Sequence, residues 1–288
     1  MISSMRDLVD AENEGKTNFA TWRKTVSQST TSGVWFDMSM SPGNPVPNYY
    51  AASPLVAVAM AQSTDGGISH GQNVAQLGYK KFLKTLMVLA TAANAAPNPM
   101  LLCDYLMYYP FVDMGNTDPQ VMTNTVTLPR YTNGVGVNIM PVQVAAQSGS
   151  GNPQFFVTYT NSDGVSGRTT QIVACNTATA TGSIITAAPA TRFSSGPFLG
   201  LQSGDKGVRS IESVKFLTAD IGLIAMVLVV PIEDISFRSI DAPAERVPVL
   251  DFFSFPQIQD DAYLNLLCNP QSGLSTVAFH GYIQTIWG

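Results

Sequence analysis

The sequence predicts a mainly β protein with minor α: a β-sandwich or jelly-roll-like body, with an N-terminal helix, an extended arm and one long helix. Three observations predict this class. From about residue 121 onward, β-branched and aromatic stretches recur between turn clusters such as "TNGVG", "QSGSGNP", "TNSDGVSG", "SSGPFLG", "QSGDKG" and "NPQSG". Charged residues make up only 12% of the chain, against roughly 25% in an ordinary globular domain. Thr, Ser, Asn, Gln, Gly and Pro fill the gap, as in a body whose broad surface is neutral or faces other protein.

The elements follow in chain order. Residues 3–14 read as a short helix. Ser4 can cap it with Asp7 as capping-box partner, Met5, Leu8, Val9 and Glu12 share a face, and Gly15 can stop it. Residues 17–50 read as an extended arm, because Pro42, Pro45 and Pro47 favour a polyproline-like path. Trp35, Phe36, Tyr49 and Tyr50 flank that path and need burial, either on the chain's own body or on a neighbouring subunit. They are the expected assembly interface. The chain thus divides into a helix and arm over 1–50 and a mainly-β body over 51–288.

Within the body, "FLKTLMVLATAANAA" is rich in helix formers and predicts the long helix near 73–95. Pro97 and Pro99 end it, and Lys80, Lys81 and Lys84 form its solvated face. "LLCDYLMYYPFVDM" reads as a short strand or a buried turn of helix. Strands are then expected over Val121–Leu128, Val135–Ala145, Gln154–Thr160, Thr169–Ala174, Gly182–Ala187, Val208–Phe216, Gly222–Val230, Val247–Phe253 and Leu274–Trp287. Asp163-Gly164 marks the clearest hairpin. The longest apolar run, Ile221–Val230, stops at Pro231. It falls short of the ~20 residues of a membrane helix and reads as a buried strand, so no membrane is implied. In the closing "STVAFHGYIQTIWG", Val277, Phe279, Ile283 and Trp287 share an apolar face. Gly281 leaves room there for a close neighbour, while His280, Tyr282 and Gln284 point the other way.

The chemistry-bearing residues form no working set. The two histidines, His70 and His280, each precede a glycine and carry no mechanism. Gly15-Lys16-Thr17 ends like a phosphate-binding loop, but Asp10 stands where that motif needs its first glycine. "GDKGVRS" joins strands and reads as a charged turn. Glu233-Asp234 and Asp260-Asp261 are adjacent acids on opposite faces, although distant acids such as Asp104 and Asp251 could still meet. "DMGNTD" lacks the glycine and closing glutamate of a calcium loop. Cys103, Cys175 and Cys268 are dispersed and read as three buried thiols, as in a chain folded in a reducing cytosol. The N-terminus has no apolar stretch of signal-peptide type. A net charge of −5 argues against a nucleic-acid partner. No catalytic residue, cofactor site, metal ligand or cofactor is singled out, and the expectation is a non-enzyme.

"LCDYLMYYPFVDMGNTDPQ", "LPRYTNGVGV", "VTYTNSDGVSGRT", "PFLGLQSGDKGVRSIESV", "DAYLNLL" and the terminal "IWG" together resemble a family of tailed-bacteriophage virion structural proteins, over roughly residues 70–288. The resemblance implies a place in the phage particle, with synthesis in the bacterial host cytoplasm. The favoured role is a capsid decoration or cement protein on the capsid surface. Its partners would be other virion proteins, the major capsid protein foremost, and further copies of itself in a homo-oligomer. A tail, neck or fibre component is the alternative, and a virion-associated glycan hydrolase the second alternative.

Overall fold

The computed structural model describes Ile2 and residues 4–186, 196–251 and 255–288. Nine long strands carry the fold: β1 (Thr17–Thr25), β2 (Lys81–Ala90), β3 (Asn98–Asp113), β4 (Asn138–Ala145), β5 (Gln154–Asn161), β6 (Val208–Phe216), β7 (Leu223–Phe237), β8 (Tyr263–Cys268) and β9 (Ala278–Trp287). With short strands added, they form three antiparallel sheets. The first runs Ala244–Arg246, β2, β9, β1, Gly43–Asn44, with Gln257–Ile258 also on β2. The central sheet runs Phe36–Asp37, β8, β3, β7, β4, with Val58–Ala59 on β3. The third runs Arg168–Thr169, β5, β6, Gln120–Val121, with Val173–Ala174 on β5. The protein is therefore mainly β with few helices.

The central sheet is buried on both faces, which its sequence explains. β7 opens on an uninterrupted apolar run, the pattern of a strand covered on both sides. Ile224, Met226, Leu228 and Val230 pack with Leu106 and Tyr109 of β3 against Phe155, Val157 and Ile211 of the third sheet. Ala225, Val227 and Val229 face the other way, with Cys103, Tyr105 and Tyr263, and are covered by Met40, Tyr50, Met60 and Ile184. Farther along, Met100, Leu102, Ile235 and Phe237 meet Trp22, Leu86, Phe279 and Ile283 of the first sheet. β7 continues through Pro231 because that residue lies beyond the stretch paired with β4, which ends at Val229, so its missing N–H breaks no ladder on that side.

Several expectations are met. The N-terminal helix is Met5–Asn13, with the Ser4–Asp7 capping box formed and Gly15 in the left-handed region. β6 spans the expected residues. The hairpin turns at Gly164 and pairs Arg168 with Tyr159. All three cysteines are buried free thiols.

The long helix near 73–95 is not formed. Ala75–Leu77 makes one 3-10 turn, Gly78 turns left-handed, and β2 follows. Strand partners on both sides of β2, and the burial of Leu83, Leu86 and Val88 in the core, override the helix propensity of Lys, Leu, Met and Ala. The lysines do not share a solvated face: Lys81 is buried and Lys84 reaches Glu12 at 2.7 Å. "LLCDYLMYYPFVDM", all but its final Met114, lies within the sixteen-residue β3.

Other boundaries move. Val121–Leu128 is strand only at Val121, with one bridge at Thr123. Thr169–Ala174 divides into two short strands. Gly182–Ala187 contributes bridges at Ser183 and Ile184, and Ala187 lies outside the described residues. In place of Val247–Phe253 there is a helical turn, Pro248–Asp251, where Pro248 suits the first helical position and Asp251 accepts the Val247 N–H at 3.0 Å. Phe252 and Phe253, like Ser194 and Ser195 of the "SSGPFLG" turn, lie outside the described residues.

Residues 1–50 do not stand apart from 51–288. β1 pairs along its whole length with β9, and Trp22 on β1 is buried in the core. Gly281 of β9 lies against the Met87 carbonyl and the Trp22 ring, so a Cβ there would sit 3.0 Å from Trp22 Cζ2 and overlap the Met87 backbone. The space expected at Gly281 is therefore a required close approach. Past a register shift at Gln284, Ile286 turns to the N-terminal helix and packs with Ile2 and Ala11. Gly281→Ala is expected to lower stability by about 3 kcal/mol, read as a shift in the urea midpoint. Deletion of residues 1–50 should abolish cooperative unfolding, because it strips β9 of a strand partner and the central sheet of its cover.

Candidate functional site

The arm's four aromatics take different places. Phe36 and Tyr50 are buried in the chain's own body, and Trp35 is partly buried against the same cluster as Tyr50. Tyr49 alone stays 55% exposed. The arm therefore wraps its own body, and it is fastened there by a charge. Asp37, fully buried, accepts hydrogen bonds from the Tyr50 hydroxyl, the Tyr105 hydroxyl (2.7 Å), the Ser39 hydroxyl (2.8 Å) and the Ser39 N–H (2.9 Å). Burial pushes its carboxyl up, and these donors pull it back toward the charged form. Nearby, Lys24 shares the inner face of β1 with Trp22, and the buried Val26 follows just past the strand. Its Nζ donates to the carbonyls of Ser41 (3.0 Å), Ser39 (3.4 Å) and Val46 (3.5 Å). Burial brings it down to about 8, with the Asp37 charge opposing.

A second buried charge is Asp104 of β3. Arg130 holds it in a two-point bond, Nε to Oδ2 at 2.9 Å and Nη2 to Oδ1 at 2.7 Å. The same guanidinium donates to the carbonyls of Met60 (3.0 Å) and Tyr105 (2.9 Å). Burial raises the Asp104 carboxyl to about 6 against the pull of Arg130. Both groups are enclosed, so this is a fastening of the 60s and 130s loops to β3 rather than a place for substrate.

His70 is fully buried. Its Nε2 lies 3.0 Å from the Ala262 carbonyl and its Nδ1 2.9 Å from Lys81 Nζ. Burial and then the Lys81 charge bring it down to about 4, so it is neutral near pH 7. His280 lies near the start of β9, opposite Arg23 and Leu89, half-buried on the outer face of the first sheet. The two histidines are not brought together.

The other acids clasp loops. Asp260 accepts the N–H groups of Val74 and Ala75, and Asp261 accepts the N–H and the hydroxyl of Ser63. Glu233, Asp234 and Asp251 all approach Arg246. In "DMGNTD", Asp113 and Asn116 cap their own turn. In "GDKGVRS", Asp205 binds Tyr159, Asn161 and Arg168, which holds its carboxyl down at about 2. Lys16 pairs with Glu14 at 2.6 Å and lies over the Tyr79 ring. Among the described residues no group of three or more His, Cys, Asp or Glu could hold a metal ion.

What remains open is the outer face of the first sheet. Thr21, Arg23, Asn44, Met87, Thr91 and His280 line a shallow groove there of about 490 Å3 with Tyr282. Phe19, 56% exposed, lies with its ring centroid 4.9 Å from that of Tyr282. A groove of similar volume at Gly136–Gly207 holds one acid, the clasped Asp205. A smaller one, about 170 Å3, holds Asp7, Asp10 and Glu14 of the N-terminal helix, where Asp7 serves the cap and Glu14 binds Lys16.

No protein-family model, no curated protein and no solved structure matches the chain. Among the described residues no helix is long and apolar enough to cross a membrane.

Sequence reasoning missed the roles of Lys24, Asp37, Arg130, Lys81 and Asp260. The signal was present for three of them: a charge set against apolar or aromatic residues, alone in "GVWFDM" and as one of an adjacent basic pair in "TWRKTV" and "YKKFL".

Two predictions follow from the buried charges. Asp104→Asn leaves Arg130 charged and unpaired, and should cost about 3–5 kcal/mol; the double change Asp104→Leu with Arg130→Met should recover most of that loss. Urea unfolding of wild type and the two variants checks both. His70 has a folded value near 4 and an unfolded one near 6.5. The unfolded chain therefore takes up the proton first as pH falls. The stabilisation from neutral His70 is complete above pH 6.5 and is lost on the way down to pH 4, by about 3 kcal/mol in all. The buried carboxyls of Asp37 and Asp104 shift the opposite way, so the effect is read as the difference between wild type and His70→Gln across that range.

Proposed function

We propose that the chain is a non-enzymatic virion structural protein of a tailed bacteriophage, favoured as a capsid decoration or cement protein. It would sit on the capsid surface against the major capsid protein and further copies of itself. The observation that carries this reading is the uncovered, weakly charged outer face of the first sheet. Phe19, Tyr282 and Met87 present apolar surface there, with Arg23, His280 and Asn44 as polar neighbours. The arm passes beside this face: Gly43–Asn44 pairs with β1, and Val46 and Tyr49 just beyond are more than half exposed. Aromatic and aliphatic surface on a rigid sheet, ringed by a few polar groups, suits protein contact. The buried charges of Lys24, Asp37, Asp104 and Arg130, by contrast, bind the chain's own backbone and side chains. Sheet stacked on sheet around two of the cores, in the manner of a β-sandwich or jelly roll, supplies the rigidity.

Particle reconstruction tests the placement. Many copies over the icosahedral faces are expected; a single ring at one vertex would move the chain to the tail, neck or fibre instead. A shell-binding assay tests the face. Phe19→Asp with Tyr282→Asp should weaken attachment about 30-fold or more, as loss of a contact centre does, with unchanged circular dichroism. Attachment at wild-type strength would remove this face from the contact.

A further inference from the structure

Lys81 begins β2 between two strands, pairing with Trp287 on one side and Ile258 on the other. Its side chain is fully enclosed. A buried lysine ordinarily takes a carboxylate as its nearest partner. Here the shorter contact is 2.9 Å to His70 Nδ1, and Asp260 Oδ1 stands at 3.5 Å. His70 Nε2 faces a carbonyl oxygen, which can only accept, so Nε2 carries the hydrogen and Nδ1 turns a lone pair to the amine. The second oxygen of Asp260, Oδ2, is cradled by two backbone N–H groups, Val74 at 2.8 Å and Ala75 at 2.7 Å. An amine, a base against it, a carboxyl beside it and paired donors on the carboxyl oxygen are the parts of an acyl transfer.

We propose that Lys81 and Asp260 join in an intramolecular amide bond, formed by the chain itself. The ammonium gives one proton, by way of His70 Nδ1, to Asp260 Oδ1, leaving a neutral amine and a carboxylic acid. The nitrogen lone pair attacks Cγ, and the π electrons move onto Oδ2 under the Val74 and Ala75 N–H groups. A second amine proton passes through His70 to Oδ1. The C–O bond breaks, Oδ1 departs as water, and the carbonyl re-forms at Oδ2. One C–N bond is made, one C–O bond is broken and one water is released, with no oxidant or cofactor. Burial assists, since it lowers the Lys81 amine toward its free form and keeps His70 neutral. The Lys81 nitrogen is shut off from bulk water, while the Asp260 side chain stays 20% exposed. The link would tie the start of β2 to the loop before β8 and close a covalent ring over most of the chain, a constraint that acts chiefly on the unfolded state.

Intact-mass measurement of the denatured full chain tests this. Wild type should be lighter than its sequence by one water, and digestion should release a branched peptide joining the Lys81 and Asp260 segments. Lys81→Arg and Asp260→Ala should both return to the full sequence mass. His70→Gln should form the bond about 100-fold more slowly, as loss of a proton-transfer group does, so freshly made protein would be mixed and would drift toward the lighter form. Full mass in wild type after prolonged folded incubation overturns the proposal. So does a water loss that persists in Lys81→Arg, which would place it elsewhere, for instance at Asp163-Gly164. Should a variant fail to fold, the presence or absence of the branched peptide in wild type still decides.

Discussion

The structure depends on one constraint: the central sheet is apolar on both faces. β3 and β7 pair over most of their length, and the run that begins β7 has no polar side to offer water. Such a sheet must be covered twice. The first and third sheets divide one face between them, and the arm, with Met60 and Ile184, covers the other. The arm is therefore as much a part of the core as any strand, although it carries little regular structure.

An irregular cover has few ladder bonds to hold it, and this is where the buried charges sit. Asp37 gathers Tyr50, Ser39 and Tyr105, so that arm and sheet share one carboxylate. Lys24 collects three arm carbonyls that have no strand partner to donate to them. Arg130 binds the carbonyls of Met60, in the loop before β2, and of Tyr105 on β3 while it neutralises Asp104. A buried ion pair adds little net stability over an apolar substitute, but breaking one leaves a bare charge, so such pairs fix one arrangement against its alternatives. In a chain so poor in charge, several of its charged groups hold irregular backbone in place.

How much of this was legible in the sequence depends on the range of the deciding interaction. Local chemistry read well: the Ser4–Asp7 cap, the Gly164 turn, the alternation of Phe279, Gly281 and Ile283, and the thiols. Non-local pairing did not. "KFLKTLMVLA" has helix formers throughout, and only β9 on one side and short strands on the other make it β2. The arm aromatics were correctly marked as needing burial, yet nothing within residues 17–50 says that their cover lies more than fifty residues away, in β3 and β8. The charged fastenings share this difficulty, since Asp37 meets Tyr105, and Lys81 meets Asp260, only after the sheets assemble.

The surface completes the argument. Once the interior has taken these charged groups, the outer face of the first sheet is left with Phe19, Tyr282 and Met87 and few charges to keep another β protein away. β1 adds a second feature. It lies next to the sheet edge, and on its outer side it pairs only at Arg23 and Lys24, leaving the stretch from Thr17 to Trp22 without a ladder partner there among the described residues. Edge strands of proteins that remain alone are usually blunted by charge, proline or a bulge. Here the stretch without a ladder partner reads Thr-Asn-Phe-Ala-Thr-Trp, with none of these, and the turn at Gly71 lies against it at Asn18. An apolar sheet face beside an unpaired strand edge is the kind of surface that the proposed shell contact would cover. His280, opposite Arg23 in the ladder and beside Tyr282 on that face, is then a polar neighbour within the surface assigned to contact under the proposed function.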